Sequence, residues 1–543
     1  MILGKARGRT LGKLQKKWFW VCWVLLGICC VALPTMAFAP MTSMDEKGVD
    51  AIRIHKAPYN LQGRKVAIGQ VEIGRPGIFS LDKVVAWNPP INLAQVFLQD
   101  KSPTPNRNVD PHAFMVAGVM VSRDKAIPGV APMADLYSSA VGSPRTNGQP
   151  EECLASQHVA LQNGGDVRAI NFSFGEPLSR DPRPNATLDG NALLTQCIDW
   201  SARVHNVLYN IAGNQGGGGI AIPTDNYNGL NVAYSKRRNG VFAKIDFSNL
   251  SAAPIGVGRT VVEREINVGP RRSINIAAPG HDVTVYNLRG RFENVSGTSF
   301  ATPHVNATVA ILQEFGDRQT SSGVANWGVA SRQAEVMKSV ILNSADKVQD
   351  QGNGDLLGMS RTVLAKDEKN WLESDAYSDP KIPLDFQMGT GHLNVYRAYQ
   401  QFSPGQQQAG KPAMSIGWDY GQVESGKFQE YALDKPLTQG SFASITLSWQ
   451  RLVDLRDKNN NEMYDVGETF SDRGLNNLDL YLMPIESNDP NQSTCASISP
   501  ADSLEHIFCP VPKTGKYKIR VQYKDQANEP VQNYGLAWWT KNS

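Results

Sequence analysis

Between Arg64 and Arg397 short apolar runs alternate with stretches of helical periodicity. The runs are V-A-I-G-Q-V-E (66–72), A-D-L-Y-S-S-A-V (134–141), V-R-A-I-N-F-S-F (167–174), V-L-Y-N-I-A (207–212) and S-I-N-I-A-A (273–278). They are nearly continuous in apolar residues, which predicts strands buried on both faces. Strands of that kind separated by helices predict an α/β domain with a mostly parallel sheet and helices on both sides. In such a sheet the residues that handle ligands collect at the carboxyl ends of the strands. Around 403–411, S-P-G-Q-Q-Q-A-G-K is poor in apolar residues and rich in turn formers, predicting a linker over 403–414. Beyond it come alternating strands such as S-F-A-S-I-T-L-S-W (441–449), L-D-L-Y-L-M (478–483) and Y-K-I-R-V-Q-Y (517–523), predicting a small all-β sandwich over 415–543.

The amino terminus changes the picture. Residues 1–39 carry Lys5, Arg7, Arg9, Lys13, Lys16 and Lys17 with no acid, then an uncharged run from Trp18 to Leu33, then A-F-A at 37–39. Basic, apolar and small-residue segments in that order predict an export signal over 1–39, followed by a segment 40–62 and the α/β domain over 63–402. Pro40 directly after A-F-A leaves retention as an N-terminal anchor as the alternative, although the uncharged run is short for a membrane span. Loss of the signal takes the formal charge from +3 to −3. No polybasic field then remains to attract nucleic acid, and membrane association is expected only if the leader is retained. At 41% hydrophobic and 19% charged residues the chain reads as globular, in two or more domains, and as a monomer outside the cytoplasm.

Of seven cysteines, three fall in the leader, leaving Cys153, Cys197, Cys495 and Cys509. Three connectivities are possible; the regional separation of the two pairs favours Cys153 with Cys197 and Cys495 with Cys509. Eight scattered histidines without an H-x-x-x-H argue against a zinc site. No organic cofactor is expected.

V-S-G-T-S-F-A-T-P-H-V (295–305) places Ser299 just ahead of the helical stretch A-T-V-A-I-L-Q-E-F (307–315), with Pro303 expected in the first turn, where its missing N–H would have had no partner. Free N–H groups and the positive end of the macrodipole at such a position favour an alkoxide or oxyanion. An isolated serine there would be only a helix cap.

G-T-S-F-A-T-P-H-V resembles the nucleophile motif of the subtilisin-like serine proteases, the subtilases, and further blocks follow in that family's order across roughly Gly63 to Tyr399. V-A-I-G-Q-V-E-I-G (66–74) resembles the strand ending in the triad acid, with Glu72 where the family has Asp. His112 with A-F-M-V-A-G (113–118) resembles the histidine helix. I-N-F-S-F-G (170–175) is similar to the strand that binds the substrate backbone, implying substrate contacts at Ser173, Phe174 and Gly175. I-A-G-N-Q-G (211–216) is similar to the block carrying the oxyanion donor, here Asn214. The resemblance implies an endopeptidase acting on proteins or peptides through an acyl-enzyme, with Ser299 as nucleophile, His112 as general base and acid, and Glu72 as orienting acid. The β-sandwich resembles the C-terminal accessory domains of secreted proteases.

Three departures stand out. Glu adds a methylene, about 1.5 Å of reach, so the strand end or the histidine helix must shift to suit it. Asp110, two residues before His112, is the alternative acid, and a site that binds without cutting, on a scaffold whose working part is the β domain, is the alternative function. Some two dozen residues between signal and domain are too few for the family's usual folding-assisting prodomain. Glu176 beside the expected specificity pocket is either a solvated loop carboxylate or a determinant of Arg or Lys at the cleavage site. His304, inside the motif, is expected to be structural.

D-K-N-N-N-E-M-Y-D-V-G-E (457–468) presents side-chain oxygens at positions 1, 3, 5, 9 and 12: Asp457, Asn459, Asn461, Asp465 and Glu468. That is the spacing of an EF-hand-type loop, with a structural calcium ion as the expected ligand and Glu462 where such a loop has glycine for its sharp turn. An Asn-rich hairpin tip is the alternative.

Overall fold

The computed structural model describes residues 43–213, 222–244 and 270–543. The expected export signal and Asn214 lie outside these residues. Contacts gather Met41–Ser543 into one compact unit.

The predicted parallel sheet is present. It has nine strands: β1 (Ala67–Glu72), β2 (Leu93–Leu98), β3 (Asp135–Ala140), β4 (Val167–Phe172), β5 (Leu208–Ala212), β6 (Leu230–Arg238), β7 (Val241–Lys244), β8 (Ile276–Pro279) and the short Val363–Leu364. From β2 the order runs β3, β1, β4, β5, β6, β7, with β8 also on β6, and among the described residues only the β6–β7 pair is antiparallel. Every residue of β1 and of β4 is buried, as continuous apolar runs require. After β1 the chain builds β2 and β3 on one side of it and β4 to β6 on the other. The carboxyl ends of β1 and β4 therefore flank the point where strand order reverses, the place where such sheets form a crevice.

Two long helices cover one face: Pro111–Val121, which carries His112, and Thr298–Ser321, which carries Ser299. Helices Gln149–Ala160 and Leu193–Val204 are joined by the Cys153–Cys197 disulfide, and Cys495–Cys509 forms the second, so the expected pairing holds. A hairpin of β9 (Val283–Tyr286) and β10 (Phe292–Val295) leads into the Ser299 helix. Gly297, its N-cap, has φ 149°, a conformation open to glycine and costly for any side chain.

Past Ser403 two mainly antiparallel sheets, of five and four strands, face each other over a core that includes Tyr431, Trp449, Trp538 and Tyr534. The four-stranded sheet turns its other face to the helix Ala334–Asn343 of the α/β part. Gly535 lies so close there that a Cβ would stand 2.3 Å from the carbonyl oxygen of Glu335. Ser448 Oγ donates to that oxygen (3.0 Å) and Ser339 Oγ to the Gly535 carbonyl (2.9 Å). Trp418 and Ala537 join the apolar cluster of Val336, Val340 and Phe402. The segment expected as a linker is itself held: Gln407 N–H donates to Trp418 O, and Trp418 Nε1–H to Phe402 O, both at 2.8 Å.

Candidate active site

Glu72 is the last residue of β1 and His112 the second of its helix. Asp110 caps that helix, its Oδ1 accepting the His112 backbone N–H at 2.9 Å. This gives Asp110 a structural employment and leaves the imidazole to Glu72, whose Oε2 lies 3.4 Å from Nδ1. Glu72 is 1% exposed, while a 35% exposed His112 side chain opens to the crevice. The extra methylene is thus accommodated at the strand end, and Glu72 Oε1 is buried with no hydrogen-bond partner among the described residues. Burial raises the Glu72 carboxyl above its usual range, opposed by the imidazole. Burial also pulls His112 down, but the Glu72 carboxylate, helped by Asp110, outweighs it and leaves the imidazole pKa above the ordinary value. Gln70, two residues before Glu72 and fully buried, donates from Nε2 to the Ala113 carbonyl (2.9 Å), tying β1 to the histidine helix.

Ser299 is the second residue of its helix. Pro303 is the sixth, not in the first turn as expected, and this has a consequence: the N–H it lacks would have bonded the Ser299 carbonyl. That carbonyl instead accepts from Ser173 Oγ at 2.9 Å, and Ser299 Oγ donates to the Ser173 carbonyl at 3.1 Å. Asn171 Nδ2 supports Ser173 Oγ at 2.9 Å. The Ser299 helix is therefore pinned to the residue just past β4. Among the described residues no hydrogen bond joins Ser299 Oγ to His112. The His112 ring meets that of Phe300, the next residue, at 5.5 Å between centroids. Such bonds commonly close only when substrate is bound.

His304 is buried between Phe300 O (2.8 Å to Nδ1) and Ser43 Oγ (2.6 Å to Nε2), and burial takes it down to about 4, so it stays neutral and structural. Phe174 is 9% exposed and stacks on Phe172, and Gly175 is half-buried. Glu176 is no solvated loop residue: it is 2% exposed and accepts from Arg180 Nη1 at 2.9 and 3.2 Å. Neither is it a free charge awaiting a basic side chain, because Arg180 already neutralises it. Beside it burial, with Glu176 adding to the effect, holds the Glu152 carboxyl well above the usual range.

Gln70, Asn171 and Asn306 were not singled out from the sequence. Asn306 accepts from Asn210 Nδ2 at 2.9 Å and donates to Gly69 O at 3.3 Å, joining the Ser299 helix to β5 and β1. Their signal was a single amide interrupting an otherwise apolar run, which is costly unless it is bonded.

The loop 457–468 joins β-strands Val453–Arg456 and Thr469–Asp472. Asp457 accepts the N–H groups of Asn459, Asn460 and Glu462 (3.1, 2.7 and 2.8 Å), and Glu468 those of Lys458 and Asp465 (2.7 and 3.0 Å). Glu462 takes φ 62°, so the turn that glycine would ease is made with glutamate. Asn459 and Asn461 turn their Nδ2 groups to Asp465 Oδ2 at 2.7 and 2.9 Å, which brings the side chains of positions 3, 5 and 9 together. This oxygen-rich donor set fits a hard cation once those amides turn over. Among the described residues no cluster of three or more His, Cys, Asp or Glu side chains is arranged to hold a metal, so amide oxygens are indispensable to such a site.

A family model described as "Subtilase family" matches residues 91–360, a span that holds His112 and Ser299 and begins after Glu72. The "Thermostable alkaline protease" of Halalkalibacterium halodurans is 26% identical over 235 residues, covering 43% of this chain and 55% of that protein. "Subtilisin Savinase" of Lederbergia lenta is 27% identical over 239 residues, 43% of this chain and 74% of that protein. Among solved structures, that of the "Prenylagaramide maturation protease PagA" aligns at TM-score 0.40 and 20% identity, over 62% of this chain and 92% of that one.

Proposed function

This chain carries a peptidase domain of the subtilase family, and on that premise we propose that it is an exported serine endopeptidase cutting proteins or peptides through an acyl-enzyme. The observation that carries the reading is the buried Glu72 carboxylate facing His112 Nδ1 at 3.4 Å, with the imidazole against Phe300, the residue after a serine on a pinned helix N-terminus. Ser299 Oγ attacks the scissile carbonyl while His112 takes its proton, and the same proton then goes to the leaving amine. Water repeats the cycle on the ester. Glu72 fixes the tautomer with the proton on Nδ1 and offsets the transient imidazolium. Asn214, by its place in the motif, and N–H groups at the start of the Ser299 helix donate to the tetrahedral oxyanion, a contribution worth about 10²–10³ in rate for the one such donor removed in subtilisin. Ser173, Phe174 and Gly175 align the substrate backbone.

Export rests on the leader at 1–39. Among the described residues no helix is long and apolar enough to cross a membrane. The peptidase unit is taken as 63–402 and the accessory β-sandwich as 415–543, acting as a monomer. Calcium is proposed as a structural ion at 457–468, held by Asp457, Asn459, Asn461, Asp465 and Glu468. That loop also seats Tyr464 on the peptidase part, its N–H and O meeting the Gln157 amide at 2.6 and 3.1 Å, so the ion would brace the junction. The reading of a retired scaffold finds no support, since serine, histidine and acid are all present. The test is hydrolysis of a casein-type protein substrate by the purified chain: activity absent from Ser299→Ala supports the reading, and equal activity in the two overturns it.

A further inference from the structure

Away from the crevice, a pocket of about 290 Å³ opens where the α/β part meets the β-sandwich. Arg203, Gln333 and Glu335 line it from one side, and Tyr420, Glu529 and Asn533 from the other. Glu335 is only 7% exposed, and apart from its own N–H its carboxylate has no hydrogen-bond or ion-pair partner among the described residues. Burial, against its own N–H and the more distant Lys338, pushes its carboxyl up to about 7. Arg203 gives Nη2 to Val453 O (2.8 Å) and Asp454 Oδ1 (3.2 Å), while its buried Nε–H has no acceptor among the described residues. A carboxylate without a partner among the described residues and a guanidinium that is one-third exposed and shared with Asp454 thus line one cavity, and they are not paired with each other. A largely buried carboxylate with so few partners is uncommon in folded proteins, where buried polar groups are generally bonded.

We propose that this pocket binds a small zwitterion, an α-amino acid or a very short peptide, with its ammonium group on Glu335 and its carboxylate on Arg203. The ammonium suits the partnerless Glu335 carboxylate and the ligand carboxylate the exposed edge of the Arg203 guanidinium, and the amides of Gln333 and Asn533 supply further polar contacts to a ligand backbone. Short peptides, which carry the same two terminal charges, are also the products an endopeptidase releases. Because the walls belong to both halves of the chain, occupancy ties those halves together and raises the stability of the whole.

The test uses the full chain carrying Ser299→Ala, so that a peptide probe stays intact, and follows thermal unfolding and calorimetric binding with L-alanine and dialanine. n-Propylamine and propionate serve as single-charge controls. The expected result is a saturable rise in Tm with a zwitterion, a smaller rise with either control, and affinity lowered about tenfold by Glu335→Gln, the scale of one hydrogen bond to a charged group. Arg203→Gln has the same expected effect and stands in if the first variant fails to fold. No saturable shift at tens of millimolar, equal binding of propylamine, or binding undiminished in both variants overturns the proposal. None of these outcomes bears on the peptidase reading, which does not involve this pocket.

Discussion

Replacing Glu72 with glutamine isolates what the carboxylate contributes, because the side chain keeps its length while the charge is removed. Coulomb's law over 3.4 Å gives about 5 kcal/mol at an effective dielectric of 20 and about 1 kcal/mol in bulk water. With 35% of the His112 side chain open to solvent, about 2 kcal/mol is the appropriate middle value, which is about 1.5 pH units on the imidazole. In the proposed cycle the neutral imidazole is the base, and Glu72 holds its pKa above the ordinary value. The acid limb of kcat/KM in the parent protein therefore lies above the usual histidine range. In Glu72→Gln it moves down by about 1.5 units, while the plateau falls by about 10⁴, the scale seen when a triad carboxylate becomes an amide and favours the wrong tautomer. Glu72→Asp draws the carboxylate back by about 1.5 Å and costs at least about tenfold, since the site is built for the longer side chain. The assay is a pH series of kcat/KM on a chromogenic peptide, with thermal unfolding as the check on folding. A Glu72→Gln protein whose plateau and acid limb match the parent's would refute this reasoning and transfer the orienting role to Asp110.

Other outcomes follow from the same structure. Ser173→Ala removes the donor to the Ser299 carbonyl that Pro303 leaves without a helix partner, so stability falls by about 1 kcal/mol and kcat/KM falls with little change in KM; unaltered kinetics would mean that the pinning does not position the nucleophile. Calcium at a hundredfold excess over its Kd raises Tm by about 2–3 °C for a chain of this size, and Asp457→Ala abolishes the rise; an identical rise in the variant would place the ion elsewhere. Breaking Cys153–Cys197, which closes a 44-residue separation, costs about 4 kcal/mol by loop entropy, read as a lowered denaturation midpoint in the double Cys→Ala protein; an unchanged midpoint would mean that the surrounding packing alone fixes these helices.

Much of this architecture was legible in the chain because burial on both faces leaves an unmistakable pattern. The runs at 66–72, 134–141, 167–174, 207–212 and 273–278 became β1, β3, β4, β5 and β8. β2 (L-A-Q-V-F-L) carries an apolar pattern much like that of β1 but was not singled out; as an edge strand it buries only Val96 and Phe97 fully. β6 begins buried and ends in the exposed Lys236–Arg238, mixing two patterns in one strand. At the site, the spacing around Ser299 and His112 pointed to the chemistry, and the structure supplied what spacing cannot. The role of Pro303 depends on its place in a helix whose start was set one turn too late. The surroundings of Glu176 depend on Arg180, from the loop that follows, and on Glu152, from a helix some two dozen residues earlier, and no local pattern connects them.

The central claim is that Ser299, His112 and Glu72 act as one proton-passing unit. Labelling of the purified protein by a fluorophosphonate, with the modified peptide located by mass spectrometry, tests it most directly. The account predicts a single adduct on Ser299, lost in Ser299→Ala and slowed by at least about a thousandfold in His112→Ala, since an unassisted serine hydroxyl is a poor nucleophile. Labelling of Ser299 at the parent rate in His112→Ala, or no labelling of Ser299 in the folded parent protein, would contradict it.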